Sequence, residues 1–193
     1  MPLVAVQLVA YDAAVALEHA ILVSLLEQPS SGYDLARRFD RSIGFFWKAT
    51  HQQIYRVLGR MTDAGWVSVS TVAGEGRPDS KVYAPSDEGR AELSRWLAEP
   101  TDPQTVRHDL AVKIRGSAFG DREAVLKDVA RHQEQHTAQL ELYQQIEARD
   151  FPDPDRLSGH ELAQYLVLRG GIVQEQAFLE WYREVLDALS NDA

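Results

Sequence analysis

The sequence predicts a mainly α-helical protein with one small β-hairpin, arranged as two domains. Three observations support this fold class. Apolar residues recur every three or four positions over most of the chain, which is the period of an amphipathic helix. The period changes to two only between Val67 and Ala84, as in a pair of half-buried strands. The linker-like stretch Pro100–Pro103 separates the part with the hairpin from an all-helical remainder.

The composition limits the class of protein. The chain has 193 residues, of which 45% are hydrophobic and 25% are charged, as in an ordinary globular protein. It has no Cys, which excludes disulfides, thiol nucleophiles and Cys-ligated metals and favours a reducing compartment such as the cytoplasm. No apolar run of the length of a membrane span occurs, and no enzyme motif or cofactor fingerprint is found, so we expect neither membrane insertion nor a cofactor.

The net charge of −9 is unevenly distributed along the chain. Residues 1–99 contain 10 Lys and Arg against 12 Asp and Glu, a net −2, whereas residues 100–193 contain 10 against 17, a net −7. Residues 31–60 contain six basic and two acidic side chains, a net +4. This basic window in an acidic chain predicts a local surface for an anionic partner such as nucleic acid.

The first three helices are predicted by apolar residues at helical spacing. The first helix starts at Leu17 and ends before the break Pro29–Gly32. Ser31 caps a second, short helix, and Thr50 opens a third that ends at Gly65. The apolar faces of the three helices are formed by Leu17, Ile21, Leu22, Leu25 and Leu26, then Leu35 and Phe39, then Ile54, Val57, Leu58 and Met61.

A hairpin and a fourth helix follow. Alternation over Val67–Thr71 and Lys81–Ala84 predicts two strands, joined by the polar, Gly-containing tip Gly74–Ser80. Ser86 caps the fourth helix, whose buried side includes Trp96. The order helix, helix, helix, strand, turn, strand is that of a winged helix-turn-helix. A helix fits the DNA major groove, where Gln pairs with adenine and Arg with guanine. A protein-interaction adaptor built on the same fold is the alternative.

The remainder is predicted to be helical. Val106 lies in a first helix, Asp121 caps a longer one, and Ser158 precedes the last helix. The apolar stripe of the last helix extends over about 40 Å at 1.5 Å per residue. This is longer than the surface that the two neighbouring predicted helices would cover. We therefore predict a homodimer whose interface is formed by Tyr165, Leu168, Ile172, Leu179, Tyr182 and Leu186. The predicted domains are residues 17–99 and 104–190, preceded by an N-terminal extension, residues 1–16, which forms an extra helix or is not native over residues 1–14.

Several segments resemble the PadR family of transcriptional regulators. They are Leu17–Leu22 (LEHAIL), Ser31–Leu35 (SGYDL), Trp47–Leu58 with its THQQIYRVL core, Met61–Val67, and Lys81–Leu97. They follow one another in the family's order over residues 17–98. The C-terminal helices are similar to the virulence-activator-like domain of the longer PadR proteins, a looser match.

The resemblance implies a cytoplasmic homodimeric regulator, usually a repressor, that binds a pseudo-palindromic DNA operator and is released by a small aromatic or phenolic ligand. It implies that the third helix faces the major groove, the second contacts the DNA backbone, and the wing adds phosphate contacts. The residues carried over for these roles are Thr50, His51, Gln52, Gln53, Tyr55 and Arg56, then Tyr33 and Arg37, then Arg77, Ser80 and Lys81.

Two further sites are hypotheses. His132 and His136 are four residues apart on a predicted helix, a spacing that suits a metal, with Asp128 as a conceivable third ligand. A metal-responsive regulator is therefore an alternative function. An apolar pocket for an aromatic effector is the second hypothesis, because Trp stacks well on flat ligands. Its candidate lining residues are Phe46, Trp47, Trp96, Phe178 and Trp181.

Overall fold

The computed structural model describes residues 17–41, 49–73, 80–101 and 108–191. The predicted N-terminal helix, Phe46, Trp47 and Arg77 lie outside these residues. The chain separates into two compact units between Pro103 and Gln104, and each is described by itself. Within the described residues, no helix combines the length and the apolar character needed to cross a bilayer.

The N-terminal unit is built on three helices. Helix α1 covers residues 17–27, α2 covers Gly32–Arg41 and α3 covers His51–Asp63. The apolar residues that predicted these helices meet in one core, which explains their spacing. That core contains Leu17, Ile21, Leu22, Leu25, Leu35, Ala36, Phe39, Ile54, Val57, Leu58, Met61, Val67 and Leu93.

The sheet has three strands instead of the predicted two. Strands β2 (Val67–Val72) and β3 (Ser80–Pro85) form the antiparallel hairpin. The additional strand β1 consists only of Ser30 and Ser31, which pair with Tyr83 and Val82 on the other side of β3. The order is therefore β1-β3-β2.

Helix α4 (Asp87–Leu97) is fixed at its start against the turn between α3 and β2. Ser86 accepts from the Gly89 N–H (3.0 Å) and donates its hydroxyl hydrogen to the Gly65 carbonyl (2.6 Å). The Ser86 N–H donates to the Trp66 carbonyl (3.0 Å). Gly89 is buried there, and a Cβ at this position would lie 2.1 Å from the Trp66 oxygen. Only glycine fits, because the atom in the way belongs to the backbone.

The C-terminal unit is helical, as predicted. It contains α5 (Asp109–Gly116), α6 (Arg122–Asp150) and α7 (Gly159–Asn191), with short 3-10 turns between them. Helices α6 and α7 run antiparallel along each other, and Arg169 of α7 pairs with Glu147 of α6 at 3.3 Å. The small core consists of Leu110, Val129, Tyr182 and Val185.

The predicted dimer stripe on α7 needs correction. Leu168, Ile172 and Tyr182 are only 4%, 1% and 1% exposed in a single chain, so they have no surface left for a partner. The prediction was wrong for these three because α6 has 29 residues and covers far more of α7 than was assumed. Tyr165, Leu179 and Leu186 are half-buried. The large apolar residues of α7 that are exposed are Leu162, Leu166, Val167 and Val173.

Candidate nucleic-acid interface

Helix α3 has one buried and one exposed face. Ile54, Val57, Leu58 and Met61 anchor it in the core, and Ile54 is fully buried. The first three residues of the helix, as well as Tyr55 and Arg56, are exposed. The N-terminal residues of a recognition helix are those that contact base edges. The polar side chains at the start of α3 are therefore exposed in the positions from which they could contact a DNA groove.

The N-terminus of α3 is closed by a reciprocal capping box between Thr50 and Gln53. The Gln53 N–H donates to the Thr50 hydroxyl oxygen (3.2 Å), and the Thr50 N–H donates to Oε1 of Gln53 (2.8 Å). The Thr50 hydroxyl lies 3.2 Å from the same Oε1. The box satisfies helix-end donors that would otherwise lack partners, and it fixes the position at which α3 begins.

The start of α2 packs closely against α3. Tyr55 is 48% exposed, and its Cε1 would lie 2.5 Å from a Cβ on Gly32, so the absence of a side chain at Gly32 sets the position of the Tyr55 ring. On the exposed side of α2, the guanidinium of Arg37 lies 5.7 Å from the centre of the Tyr33 ring. A polar groove lies beside it, between α2 and the first residues of β3. Its lining includes Ser31, Asp34, Arg37, Arg38 and Ser80.

Two basic residues of the +4 window are engaged within the protein. Arg60, near the end of α3, pairs with Glu18 of α1 at 2.7 Å. Arg38 donates to the Gln28 side chain (3.0 Å), the Gln28 carbonyl (2.8 Å) and the Ser30 hydroxyl (3.0 Å). Burial lowers the pKa of Arg38, although Glu27 and Asp34 partly oppose that effect. Of the described residues predicted to contact DNA through positive charge, Arg37, Arg56 and Lys81 remain exposed.

The histidine pair on α6 does not assemble a metal site. Nδ1 of His136 contacts Glu175, and its Nε2 lies 3.3 Å from the Tyr182 hydroxyl. Asp128, the conceivable third ligand, forms ion pairs with Lys113 and Arg131, which lower its pKa to about 2. Among the described residues, no group of three or more His, Asp or Glu side chains could hold a metal ion.

The described aromatic candidates for an effector pocket fall into two groups, one in each unit. Trp96 stacks on the fully buried His19 with ring centres 4.3 Å apart, and Glu92 accepts from Nε2 of that histidine at 3.1 Å. This buried histidine was not singled out from the sequence, because nothing near it in the chain marks it. In the C-terminal unit, Trp181 and Phe178 pack against His108, with ring centres 5.3 and 5.9 Å apart.

A capped, polar α3 in a three-helix unit with a β-hairpin defines a winged helix-turn-helix protein of the DNA-binding class. Comparison with known proteins refines this class. The chain belongs to the PadR-like family of transcriptional regulators: the model described as "Transcriptional regulator PadR-like family" matches residues 21–95, and the one described as "Virulence activator alpha C-term" matches residues 106–190. Its relatives are transcriptional regulators and not enzymes.

Similarity extends over nearly the whole chain. A probable transcriptional regulator of Mycobacterium tuberculosis is 53% identical over 184 residues, which cover 90% of this chain and 97% of the relative. The Vibrio cholerae virulence activator AphA has a TM-score of 0.78 at 33% identity, over 92% of this chain and 99% of AphA. Bacillus subtilis PadR in complex with operator DNA has a TM-score of 0.79 at 27% identity, over 90% of this chain and 99% of that one. The same protein has also been solved in complex with p-coumaric acid.

Proposed function

We propose that this protein is a homodimeric repressor that binds a pseudo-palindromic operator through α3 and is released by a small aromatic ligand. The observation that carries the proposal is the exposed polar N-terminal half of α3, held in place by a capping box. A repressor role is supported by the 29% identical Negative transcriptional regulator PadR of Bacillus subtilis. Since its target would be chromosomal DNA, we place its action in the cytoplasm.

In this proposal, α3 enters the major groove and the neighbouring elements hold the DNA backbone. Arg56 is suited to the O6 and N7 acceptors of guanine, and Gln52 to the edge of adenine. On α2, Arg37 lines the groove that leads to Ser80 of β3, and its guanidinium lies 5.7 Å from the centre of the Tyr33 ring. Both side chains supply backbone contacts, which add affinity without sequence information.

The test is binding to the DNA upstream of the protein's own coding region, measured by footprinting at several salt concentrations. We expect protection of two half-sites about one helical turn apart. Arg56→Ala should abolish this protection, whereas the matched control Arg60→Ala should retain it, because Arg60 pairs with Glu18. A wild-type protein that protects no DNA would contradict the proposal and favour a protein-interaction adaptor. Equal losses in both variants would contradict the assignment of Arg56 to base recognition.

The proposed dimer uses the N-terminal half of α7. Leu162, Leu166 and Val173 are 36%, 58% and 54% exposed and recur at helical spacing. Exposed apolar stripes of this kind mark interaction surfaces. The half-buried Tyr165 would lie at the edge of this interface, whereas Leu179 and Leu186 lie in the C-terminal half of α7.

For the effector, we propose a small aromatic acid. Bacillus subtilis PadR has been solved in complex with p-coumaric acid. In this chain, the clustered rings of Phe178, Trp181 and His108 offer an aromatic surface. Quenching of Trp fluorescence by p-coumaric acid, and its loss in Phe178→Ala, would support this assignment. Unchanged fluorescence and unchanged DNA binding would contradict it.

A further inference from the structure

The two neighbouring glutamines of α3 have different hydrogen-bond partners. Oε1 of Gln53 faces both the backbone N–H and the hydroxyl of Thr50, at 2.8 and 3.2 Å. The side chain of Gln52, one residue earlier, is also exposed and makes no hydrogen bond to the side chains or backbone of other described residues. From the sequence alone, both were predicted to face DNA in the same way.

To recognise adenine, a glutamine uses both the oxygen and the NH₂ group of its carboxamide. The oxygen must accept from the adenine amino group while the NH₂ donates to N7. The Gln53 oxygen is already used by Thr50, so Gln53 would have to open the capping box before it could make that pair. Gln52 would not have to break a hydrogen bond to a described residue in order to make this pair. Its position four residues before Arg56 places both side chains on the same side of α3.

We propose that Gln52 is the residue that selects a base pair in each half-site, and that Gln53 is a positioning residue that fixes the start of α3 through Thr50. This inference rests on the proposed function. It assigns the neighbouring glutamines two different roles: Gln52 supplies base discrimination, worth roughly 5- to 150-fold for one bidentate pair. Gln53 supplies no discrimination and contributes equally to every DNA sequence.

The experiment combines two measurements on the full-length chain. Base preference is obtained by selection from a library of duplexes with randomised half-sites, and thermal unfolding is followed without DNA. Gln52→Ala should lose preference at one base pair of each half-site and keep its melting temperature. Gln53→Ala should melt lower, keep the wild-type order of base preferences, and bind all sequences more weakly by one common factor.

Two further variants distinguish a role of Gln53 in capping α3 from a role in base recognition. Gln53→Glu keeps an acceptor for the Thr50 N–H, so it should regain the melting temperature lost in Gln53→Ala. Thr50→Ala should resemble Gln53→Ala in both measurements, because the two residues form one box. A Gln53→Ala protein whose preference changes at a particular base pair, or whose melting temperature equals that of wild type, would overturn the assignment. If wild type selects no sequence, the proposed function itself fails, and this inference fails with it.

Discussion

Replacing Gly89 with Ala tests how closely α4 packs against the turn between α3 and β2. The added Cβ would lie 2.1 Å from the Trp66 carbonyl oxygen and 3.2 Å from Cδ2 of Leu22. Relief would need a shift of more than ~1 Å, since ordinary van der Waals contact begins near 3.4 Å. That shift would also strain the bond from Ser86 to the same oxygen. Overpacking costs about 1–3 kcal/mol and a lost hydrogen bond about 1 kcal/mol, so we expect a loss of about 2–4 kcal/mol.

The matched control is Gly59→Ala on α3. Gly59 is an exposed residue in the middle of a helix, and an added Cβ would meet nothing within 4 Å. Because alanine favours a helix by about 0.8–1 kcal/mol over glycine, this variant should be more stable than wild type. Urea unfolding followed by Trp fluorescence suits the comparison, since Trp66 and Trp96 lie in the N-terminal unit. Equal midpoints for Gly89→Ala and wild type would refute the argument.

Three further changes test other parts of the molecule. Gly32→Ala should displace the Tyr55 ring, whose Cε1 is 2.5 Å from the new Cβ, and should weaken DNA binding in a mobility-shift assay while helical circular dichroism stays unchanged. If the proposed dimer forms through α7, Leu166→Glu should make the protein monomeric in sedimentation, whereas Phe119→Glu, also at a highly exposed position, should remain dimeric. Burial, chiefly, lowers the pKa of His132. The stability that its neutral form contributes is therefore complete above about pH 6.5 and is lost as the pH falls. In His132→Gln, the urea midpoint should therefore decrease less between neutral and acidic pH than in wild type. The same pH dependence in both proteins would contradict this role of His132.

The sequence predicted the helices of the N-terminal unit because their apolar spacing is a local property that survives folding. Strand β1 had no such signal: Ser30 and Ser31 are polar and become a strand only by pairing with Tyr83 and Val82, about fifty residues later. The close contact at Gly89 is equally non-local, since it depends on where the Trp66 carbonyl points. Pairing partners and backbone approach are set by tertiary structure, and a single sequence does not contain them explicitly.

The exposed face of the candidate site was predictable from the sequence, whereas the hydrogen bonds within it were not used. Exposure of His51, Gln52 and Arg56 follows from the buried face of α3, which periodicity identifies. The signal for the capping box was also present, because Thr50 followed three residues later by Gln53 is the signature of such a box. Both residues were nevertheless assigned to the groove. On α7, periodicity identified apolar stripes but could not tell whether α6 or a second subunit covers each one.

The distribution of charge indicates why the proposed dimer would be needed for tight DNA binding. Arg38 and Arg60 are engaged within the chain, which leaves Arg37, Arg56 and Lys81 as the exposed cations of the described interface that are outside an ion pair. Because Arg56 is proposed to recognise a base, two phosphate contacts per subunit remain, which give a salt slope of about −2 for a single chain and about −4 for a dimer. The net −7 of residues 100–193 adds repulsion instead of contacts. A measured slope near −2 for the specific complex would therefore mean that only one α3 engages the operator, and the two-half-site arrangement would have to be abandoned.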